Sequence, residues 1–281
     1  MADLPQGSDT SPRRQLLFGM YLDALRMDDV VEVCQRALVT RRPLLLGVLN
    51  AAKIAKLRKD ALLRNSLIEC DLLLADGQSI VWASKLLGRP LPERVAGIDL
   101  FDRLLVLAHR EGRSVALLGA RPEVLCKLEE RLCQRFPGLR IAYSHHGYFD
   151  SVDAGRIASD IRAAGADMLF LGMTSPKKEI FLGSYGSSLD VPVLHGVGGS
   201  FDVMAGLTKR APIGWQKMGL EWAYRLLQEP RRLWWRYFTS NAIFLQLTAR
   251  ELIRPAEAFK LAGDPRATGK SFPTRGKMRS L

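Results

Sequence analysis

Two polar residues that could take part in proton transfer or ligand binding each follow an apolar run. Asn50 follows the run 43–49, and Asp76, with Gly77 after it, follows the run 71–75. If these runs are parallel strands, their carboxyl ends line the crevice where ligands bind. Burial there can raise the pKa of a carboxyl group toward the range of a general base. The alternative is structural, because Asp-Gly is a common turn dipeptide.

A second candidate is the segment GMTSPKKE, residues 172–179. It leaves an apolar run, turns at a proline and enters a helical pattern with Lys177 near the start. Backbone N–H groups at a helix start, together with a lysine, can hold a phosphate group. A helix start with solvated lysines is the alternative.

The third candidate is the glycine-rich segment GVGGSFDVMAG, residues 196–206. Gly198 and Gly199 allow close approach of the backbone to a ligand, and Asp202 could accept hydrogen bonds from sugar hydroxyls. The segment lacks both the GxGxxG order of dinucleotide folds and the GxxxxGK[ST] order of P-loops. We therefore interpret it as a ligand loop without an NAD or ATP signature. Gly119 ends another apolar run.

Three arginines near the C-terminus, Arg225, Arg232 and Arg236, are spaced by seven and four residues. In one continuous helix this spacing aligns them on one face, where they suit a diphosphate, although Pro230 can break the register. Around them lie Trp234, Trp235, Phe238, Phe244 and Leu245. Basic and aromatic content is typical of an interfacial membrane segment, and equally of a helix pair packed on the core.

Metal and cysteine chemistry are not indicated. No His, Cys, Asp and Glu residues have metal-ligand spacing, so we expect no metal site and no cofactor. The four cysteines contain no CxxC pair. Cys126 and Cys133 are seven apart in a helical pattern, which favours buried thiols over a disulfide.

Charge is distributed unevenly along the chain of 281 residues, whose net charge is +12. Residues 207–281 hold 15 Lys and Arg against 5 Asp and Glu, whereas the first 206 residues hold 26 against 24. A basic C-terminal quarter indicates an anionic partner. A hydrophobic content of 47% with 25% charged residues excludes a wholly disordered chain. We find no apolar stretch of transmembrane length and no signal peptide, and expect a cytoplasmic protein.

The elements that must position these residues alternate along the chain. Short apolar runs between helical patterns predict an α/β fold with a Rossmann-like parallel sheet flanked by helices. The predicted strands are 43–49, 71–75, 115–118, 140–144, 168–171 and 191–195. The predicted helices are 29–39, capped by Asp28, 50–68, 79–87, 99–110, 123–136 and 154–164.

This pattern also gives a domain division. Residues 1–14 are predicted to be a flexible leader and 15–211 the α/β catalytic domain. Residues 212–254 are predicted to form a basic amphipathic helical appendage for membrane or diphosphate contact. Residues 255–281 are predicted to be a disordered basic tail, because residues 263–281 contain little apolar surface to bury.

Taken together, the motifs resemble the WecG/TagA/CpsF family, glycosyltransferase family 26, in family order across roughly residues 15–238. The matching segments are LNAAKIAKLR, LLLADGQSIV, LGRPLPERVAGIDL, ALLGARPEVL, PGLRIAYSHHGYF, GMTSPKKE, GVGGSFDVMAGLTKRAP and GLEWAYRLLQEPRR. The resemblance implies inverting transfer of a hexose or N-acetylhexosamine from a UDP-sugar to a polyprenyl-diphosphate-linked saccharide in cell-envelope polysaccharide synthesis.

The resemblance also assigns roles to residues. It implies that Asp76 is the general base that deprotonates the acceptor hydroxyl. For substrate binding it implies Asn50, Gly77, Gly119, Lys177, Glu179, Gly198, Gly199, Asp202, Arg210, Arg225, Arg232 and, less securely aligned, Arg236. Two positions depart from the family pattern. Val48 stands where many members have Thr, and Lys178 where many have Gln, which bears on donor choice or phosphate binding.

Partners and location follow from the same resemblance. We expect a UDP-sugar, a polyprenyl-diphosphate-linked acceptor and an anionic membrane surface as partners, with no nucleic acid and with a homo-oligomer left open. The protein is then peripheral on the inner face of the cytoplasmic membrane. Two alternatives remain at this stage: a basic membrane-surface or nucleic-acid-binding module without catalysis, and a nucleotide-dependent oxidoreductase.

Overall fold

The computed structural model describes residues 14–174 and 177–261. Six parallel strands form the central sheet in the order β4-β3-β8-β7-β5-β6. The strands are β3 (Leu44–Leu49), β4 (Leu72–Ala75), β5 (Ser114–Gly119), β6 (Arg140–His145), β7 (Met168–Gly172) and β8 (Val193–Gly196). This architecture confirms the predicted α/β class and all six predicted strands, each within two residues at either end.

Helices cover both faces of the sheet, because side chains alternate along each strand. On one face Val115 and Leu117 pack with three helices, and on the other Ala116 and Leu118 pack with two more. The first face carries α1 (Met27–Thr40), α5 (Gly97–Arg110) and α6 (Pro122–Arg135). The second carries α7 (Ala154–Ala164) and α8 (Lys177–Tyr185).

The predicted helix 50–68 is two helices, which corrects that prediction. They are α2 (Ala51–Ile54) and α3 (Ala61–Ile68). Asp60 ends the continuity, because its side chain accepts the N–H of Leu63 at 2.9 Å and so starts a new helix. After β4 comes α4 (Gln78–Leu86), close to the predicted helix 79–87.

Two further details of the sequence prediction were wrong. Asp28 does not cap α1, which begins one residue earlier, at Met27; instead the Asp29 carboxylate accepts the N–H of Arg26, the residue before the helix, at 2.9 Å. Cys126 and Cys133 are exposed on α6 and are not buried thiols. The hydrophobic stripe of α6 is carried by Val124, Leu128 and Leu132, which repeat at i and i+4 and leave both cysteines outside it.

A β-hairpin that the sequence analysis did not predict precedes α1. It pairs β1 (Arg14–Leu17) with β2 (Met20–Asp23) through Phe18 and Gly19, both at positive φ. Two successive positive φ values match the right-handed twist of a tight hairpin. Asp23 joins the hairpin to the sheet, since its carboxylate accepts the N–H of Leu73 at 2.8 Å.

The C-terminal region consists of helices. They are α9 (Ser200–Met204), α10 (Ile213–Lys217), α11 (Glu221–Gln228) and α12 (Pro230–Ile253). Seven residues of the predicted disordered tail, 255–261, are described by the structure, and the Phe259 N–H donates to the Gly19 carbonyl at 2.8 Å. The remaining tail, 262–281, and residues 1–13 of the leader lie outside the described residues.

A buried carboxylate attaches α12 to the hairpin. Both oxygens of Glu251 accept the N–H of Phe18, at 3.1 and 2.9 Å. Arg89 donates to Glu251 at 3.0 Å and also to the Leu16 carbonyl. The rings of Phe18 and Phe244 pack nearby in a tilted arrangement, with centroids 5.3 Å apart. The far half of α12 is therefore part of the core.

We predict that Glu251→Gln lowers the free energy of unfolding by about 1–3 kcal/mol, because it removes the charge partner of Arg89 from a buried network. Urea unfolding followed by circular dichroism measures this change. Glu123→Gln is the control, because that carboxylate belongs to an exposed ion pair with Arg121. Equal midpoints and slopes for the two variants would contradict the prediction.

Candidate active site

The two polar residues at the strand ends lie side by side. Leu49 pairs with Ala75 in the parallel β3–β4 ladder, and the Asp76 N–H donates to the Leu49 carbonyl at 2.8 Å. Asn50 and Asp76 therefore leave the sheet at the same edge. Gly77 is close, since a Cβ there would lie 3.7 Å from the Asn50 Cβ. The structure brings these three predicted site residues together.

The carboxyl ends of β3 and β4 lie between helices on opposite faces of the sheet. The helices after β3, and α4 after β4, pack on the face of Leu73 and Ala75, whereas α5 packs on the face of Leu72 and Leu74. In open α/β sheets, ligands bind in the crevice outside the carboxyl ends of the strands. Asp76 stands in that crevice.

The Asp76 carboxylate is held at the start of a long helix. Its Oδ1 accepts the N–H of Gly97, the first residue of α5, at 3.3 Å. Burial raises the pKa of Asp76, and this effect outweighs the opposing effects of Lys53, of the Gly97 N–H and of Arg94. A carboxylate with a raised pKa, fixed by one oxygen, is suited to accept a proton.

His195 supports the same helix start and was not predicted from the sequence. The ring is fully buried, and its Nε2 lies 3.1 Å from the Gly97 carbonyl. Burial lowers the pKa of His195 to about 4, so the ring is neutral at neutral pH. A carbonyl only accepts, so we infer that the Nε2 carries the proton. Gly97 therefore links His195 to Asp76.

Asn50 and Lys53 form one local unit. The Asn50 Oδ1 caps α2 by accepting the Lys53 N–H at 3.1 Å. The Lys53 Nζ donates to the Val48 carbonyl at 2.6 Å. Burial, with help from nearby Lys178, lowers the pKa of Lys53 to about 8. The sequence analysis quoted Lys53 in a matching segment but gave it no role.

The two lysines of the GMTSPKKE segment take different directions. The Lys177 Nζ donates to the Phe149 carbonyl at 2.6 Å and lies 4.1 Å from the centroid of the Phe149 ring. Phe149 follows β6, at the far edge of the sheet from Asp76. The structure therefore does not bring Lys177 to the Asp76 crevice.

Lys178 lies nearer to the crevice. Its side chain passes over Gly196, where a Cβ would lie 2.8 Å from the Lys178 Cδ, and its Nζ pairs with buried Glu179 at 3.3 Å. A cavity of about 40 Å³ beside Lys53 and Lys178 is sized for water and not for a sugar. The Glu179 carboxylate thus balances the charge of Lys178 behind the crevice.

The predicted glycines differ in their surroundings. A Cβ at Gly119 would overlap the backbone of Gly172, so this position needs glycine for packing between β5 and β7. At Gly198 and Gly199 a Cβ would meet no atom of the described chain within 4 Å, so this turn borders open space. Half-buried Asp202 follows in the first turn of α9. The open turn at Gly198 and Gly199 therefore fits a ligand loop.

A ring of four charges joins the appendage to the crevice. Arg94 pairs with Asp99 at 3.5 Å and with Glu221 at 3.3 Å. Arg210 pairs with the same two acids, at 2.6 and 3.4 Å. Arg210, a predicted substrate ligand, is thus held in this ring. Arg94 lowers and Glu221 raises the pKa of Asp76, so the ring acts on the crevice.

The three C-terminal arginines do not share one continuous helix. Helix α11 ends at Gln228, and α12 begins at Pro230. Arg225 therefore lies on α11, and the other two arginines lie on α12. The side chains of Arg232 and Arg236 lie outside the described part of the structure. Trp234, Trp235 and Phe238 on the same turns of α12 are each more than half exposed.

Within residues 14–174 and 177–261, no helix combines the length and apolarity that crossing a membrane requires. In the same described residues, no three His, Cys, Asp or Glu side chains are grouped closely enough to hold a metal ion.

A carboxylate held at the carboxyl ends of neighbouring parallel strands, in a sheet covered by helices on both faces, defines an α/β protein with an enzyme-like ligand site. The model of the glycosyl transferase WecG/TagA/CpsF family matches residues 15–258. The chain belongs to this family.

A curated relative from Bacillus spizizenii is 40% identical over 174 residues. The match covers 62% of this chain and 66% of the relative's own length, just under two thirds. That relative is named N-acetylglucosaminyldiphosphoundecaprenol N-acetyl-β-D-mannosaminyltransferase.

We predict that Arg210 and Glu221 stabilise the docking of α11 together. In a double-mutant cycle, Arg210→Gln and Glu221→Gln should show a coupling energy of about 1 kcal/mol in urea unfolding, because the pair is mostly buried. The matched control is the exposed pair Arg103 and Asp28, 3.0 Å apart, which should couple more weakly. Equal coupling in the two cycles would show that the ring does not hold α11.

Proposed function

We propose that this protein transfers a sugar from a UDP-sugar to a polyprenyl-diphosphate-linked saccharide, with inversion at the anomeric carbon. The observation that carries the proposal is the Asp76 carboxylate, which stands in the crevice and accepts the Gly97 N–H. Family membership supports the reaction class. The relative's name, which specifies a lipid-diphosphate-linked acceptor, supports the acceptor class.

In the proposed reaction Asp76 is the general base. The acceptor hydroxyl oxygen attacks the anomeric carbon of the donor while the bond from that carbon to the diphosphate oxygen breaks. The hydroxyl proton passes to Asp76, and UDP leaves with the bonding electron pair. The raised pKa of Asp76 strengthens it as a base, and the Gly97 N–H fixes one oxygen so that the other can face the hydroxyl.

The remaining predicted residues are proposed to bind the substrates. The open turn at Gly198 and Gly199, with Asp202 behind it, suits the nucleotide-sugar. Arg225, Arg232 and Arg236 are proposed to bind diphosphate, because guanidinium groups bind phosphate oxygens in pairs. With these cations as charge partners for the diphosphates, we propose that the reaction needs no metal ion.

The location proposed for the reaction is the inner face of the cytoplasmic membrane. The exposed rings of Trp234, Trp235 and Phe238 lie in the basic C-terminal quarter of the chain. Aromatic side chains insert at the headgroup level, while lysines and arginines attract anionic lipids. Bound there, the enzyme would meet an acceptor that cannot leave the bilayer. Its product would enter cell-envelope polysaccharide synthesis.

The first test is a radiolabelled transfer assay with a panel of UDP-sugars. The acceptor is a short-chain polyprenyl diphosphate carrying N-acetylglucosamine or glucose, and each reaction is run with and without EDTA. UDP-N-acetylmannosamine is the first donor to try, because the relative's name specifies that sugar. Transfer from one donor, unaffected by EDTA, is the expected result. No transfer from any donor would favour a non-catalytic membrane-surface module.

We predict that Asp76→Asn lowers kcat by about 10²–10⁴-fold, because an amide cannot take the hydroxyl proton. UDP binding measured by calorimetry should persist in this variant. The matched control is Asp190→Asn, an exposed position at positive φ that asparagine also adopts. If Asp76→Asn turned over at the wild-type rate, another residue would have to be the base.

We predict that replacing Trp234, Trp235 and Phe238 together by alanine weakens flotation with anionic liposomes at least about tenfold, because three exposed apolar rings are lost. The melting temperature should not change, since the buried half of α12 is untouched. Tyr148→Ala with Val152→Ala is the control, because both side chains are exposed elsewhere. Unchanged flotation of the triple variant would exclude this surface as the membrane contact.

A further inference from the structure

Lys53 is fixed at the base of the Asp76 crevice by two hydrogen bonds. Its backbone N–H is bound by the Asn50 side chain, and its Nζ donates to the Val48 carbonyl. Val48 lies on β3 directly opposite Leu74 of β4, two residues before Asp76. The ammonium group is therefore tied to the strand beside the one that carries the carboxylate.

The charges around this ammonium group come from several elements. Lys178 disfavours the charged form of Lys53, whereas Asp76, Glu179 and Cys70 favour it. Asp76 in turn is surrounded by Lys53, by Arg94 before α5 and by Glu221 of α11, in addition to the Gly97 N–H. Among these charged groups, Lys53 has the largest effect in favour of the ionised carboxylate.

We propose that Lys53 is a positioning residue for the transfer reaction: its ammonium group, tied to the Val48 carbonyl on the strand beside the one that carries Asp76, opposes with its charge the protonation of that carboxylate. The inference rests on the proposed role of Asp76 as the base. Lys53 acts through Asp76 by its field, because its hydrogen bond goes to the Val48 carbonyl. It does not itself contact the reacting atoms.

The role needs a positive charge that is held in a fixed place. With an uncharged side chain of similar length at position 53, the largest charge effect that opposes the burial of Asp76 is lost. The Asp76 carboxylate then takes up a proton at higher pH. Arginine retains the charge. Lys178 acts on Lys53 but is not among the main influences on Asp76. Replacing Lys178 by glutamine should therefore change the pKa of Lys53 and leave the pKa of Asp76 near its wild-type value.

The first measurement is a ¹³C NMR titration of aspartate carboxylates in the full-length protein without substrates, with Asp76 assigned from the Asp76→Asn spectrum. Lys53→Met should raise the pKa of Asp76 by about one unit, the lower end of the effect of a close opposite charge. Lys53→Arg and Lys178→Gln should leave it near the wild-type value. Lys56→Met is the matched control, since Lys56 is exposed one turn further along the chain.

The second measurement is the pH profile of kcat/KM for transfer. In Lys53→Met the acidic limb should move up by the same unit, so that activity on that limb falls about tenfold at a given pH. The limb should return in Lys53→Arg. A merely structural role would lower the rate at all pH values without moving the limb.

The outcomes separate this inference from the proposed function. If Lys53→Met leaves the Asp76 titration unchanged while the variant melts like the wild type, the inference is wrong. If the titration shifts but Asp76→Asn retains full transfer, the coupling is real and the proposed base is wrong. Should Lys53→Met fail to fold, Lys53→Gln offers a shorter polar side chain for the same titration, with the same expected shift.

Discussion

Under the proposed function, the region around Asp76 must bury a carboxylate and still favour its ionised form. Burial raises the pKa of Asp76, which would strengthen it as a base but also favours its protonated form. The α5 N-terminus, with Gly97 as its first residue, opposes that effect with an oriented N–H and the helix dipole. Lys53 and Arg94 oppose it with charge.

The same constraint gives His195 its place. A histidine at the end of β8 that remained charged would add a second positive field to the crevice. Complete burial lowers its pKa to about 4 and leaves a neutral donor. Its hydrogen bond to the Gly97 carbonyl fixes the residue whose N–H binds Asp76. A buried neutral ring thus positions the N–H that binds Asp76 without adding a charge to the crevice.

Local signals predicted the sheet well. Each strand is a short apolar run. A run such as LLLA must be buried away from water, so its position is visible in the sequence. Boundaries set by single side chains were less visible. Asp60 divides a helical pattern that looks continuous, because one cap bond can start a new helix.

Long-range contacts account for what the sequence did not reveal. Arg94 and Glu221 are separated by 127 residues, and nothing local marks them as partners. Lys177 and Lys178 look equivalent in sequence, yet consecutive helix positions diverge by about 100°, so one reaches Phe149 and the other Gly196. Asp76 could be singled out because its signal is a residue type at a strand end, whereas Lys53 has no such signal.

The C-terminal helices are attached to the rest of the protein at two places, at the hairpin and at the crevice. The far half of α12 is fixed to the hairpin by Glu251, while its near half exposes Trp234 and Trp235. Between that exposed end and the crevice lies α11, whose Glu221 belongs to the charge ring. A carboxylate that raises the pKa of Asp76 therefore lies on the short helix between the exposed rings and the crevice. Under the proposed function, this helix lies between the membrane contact and the base.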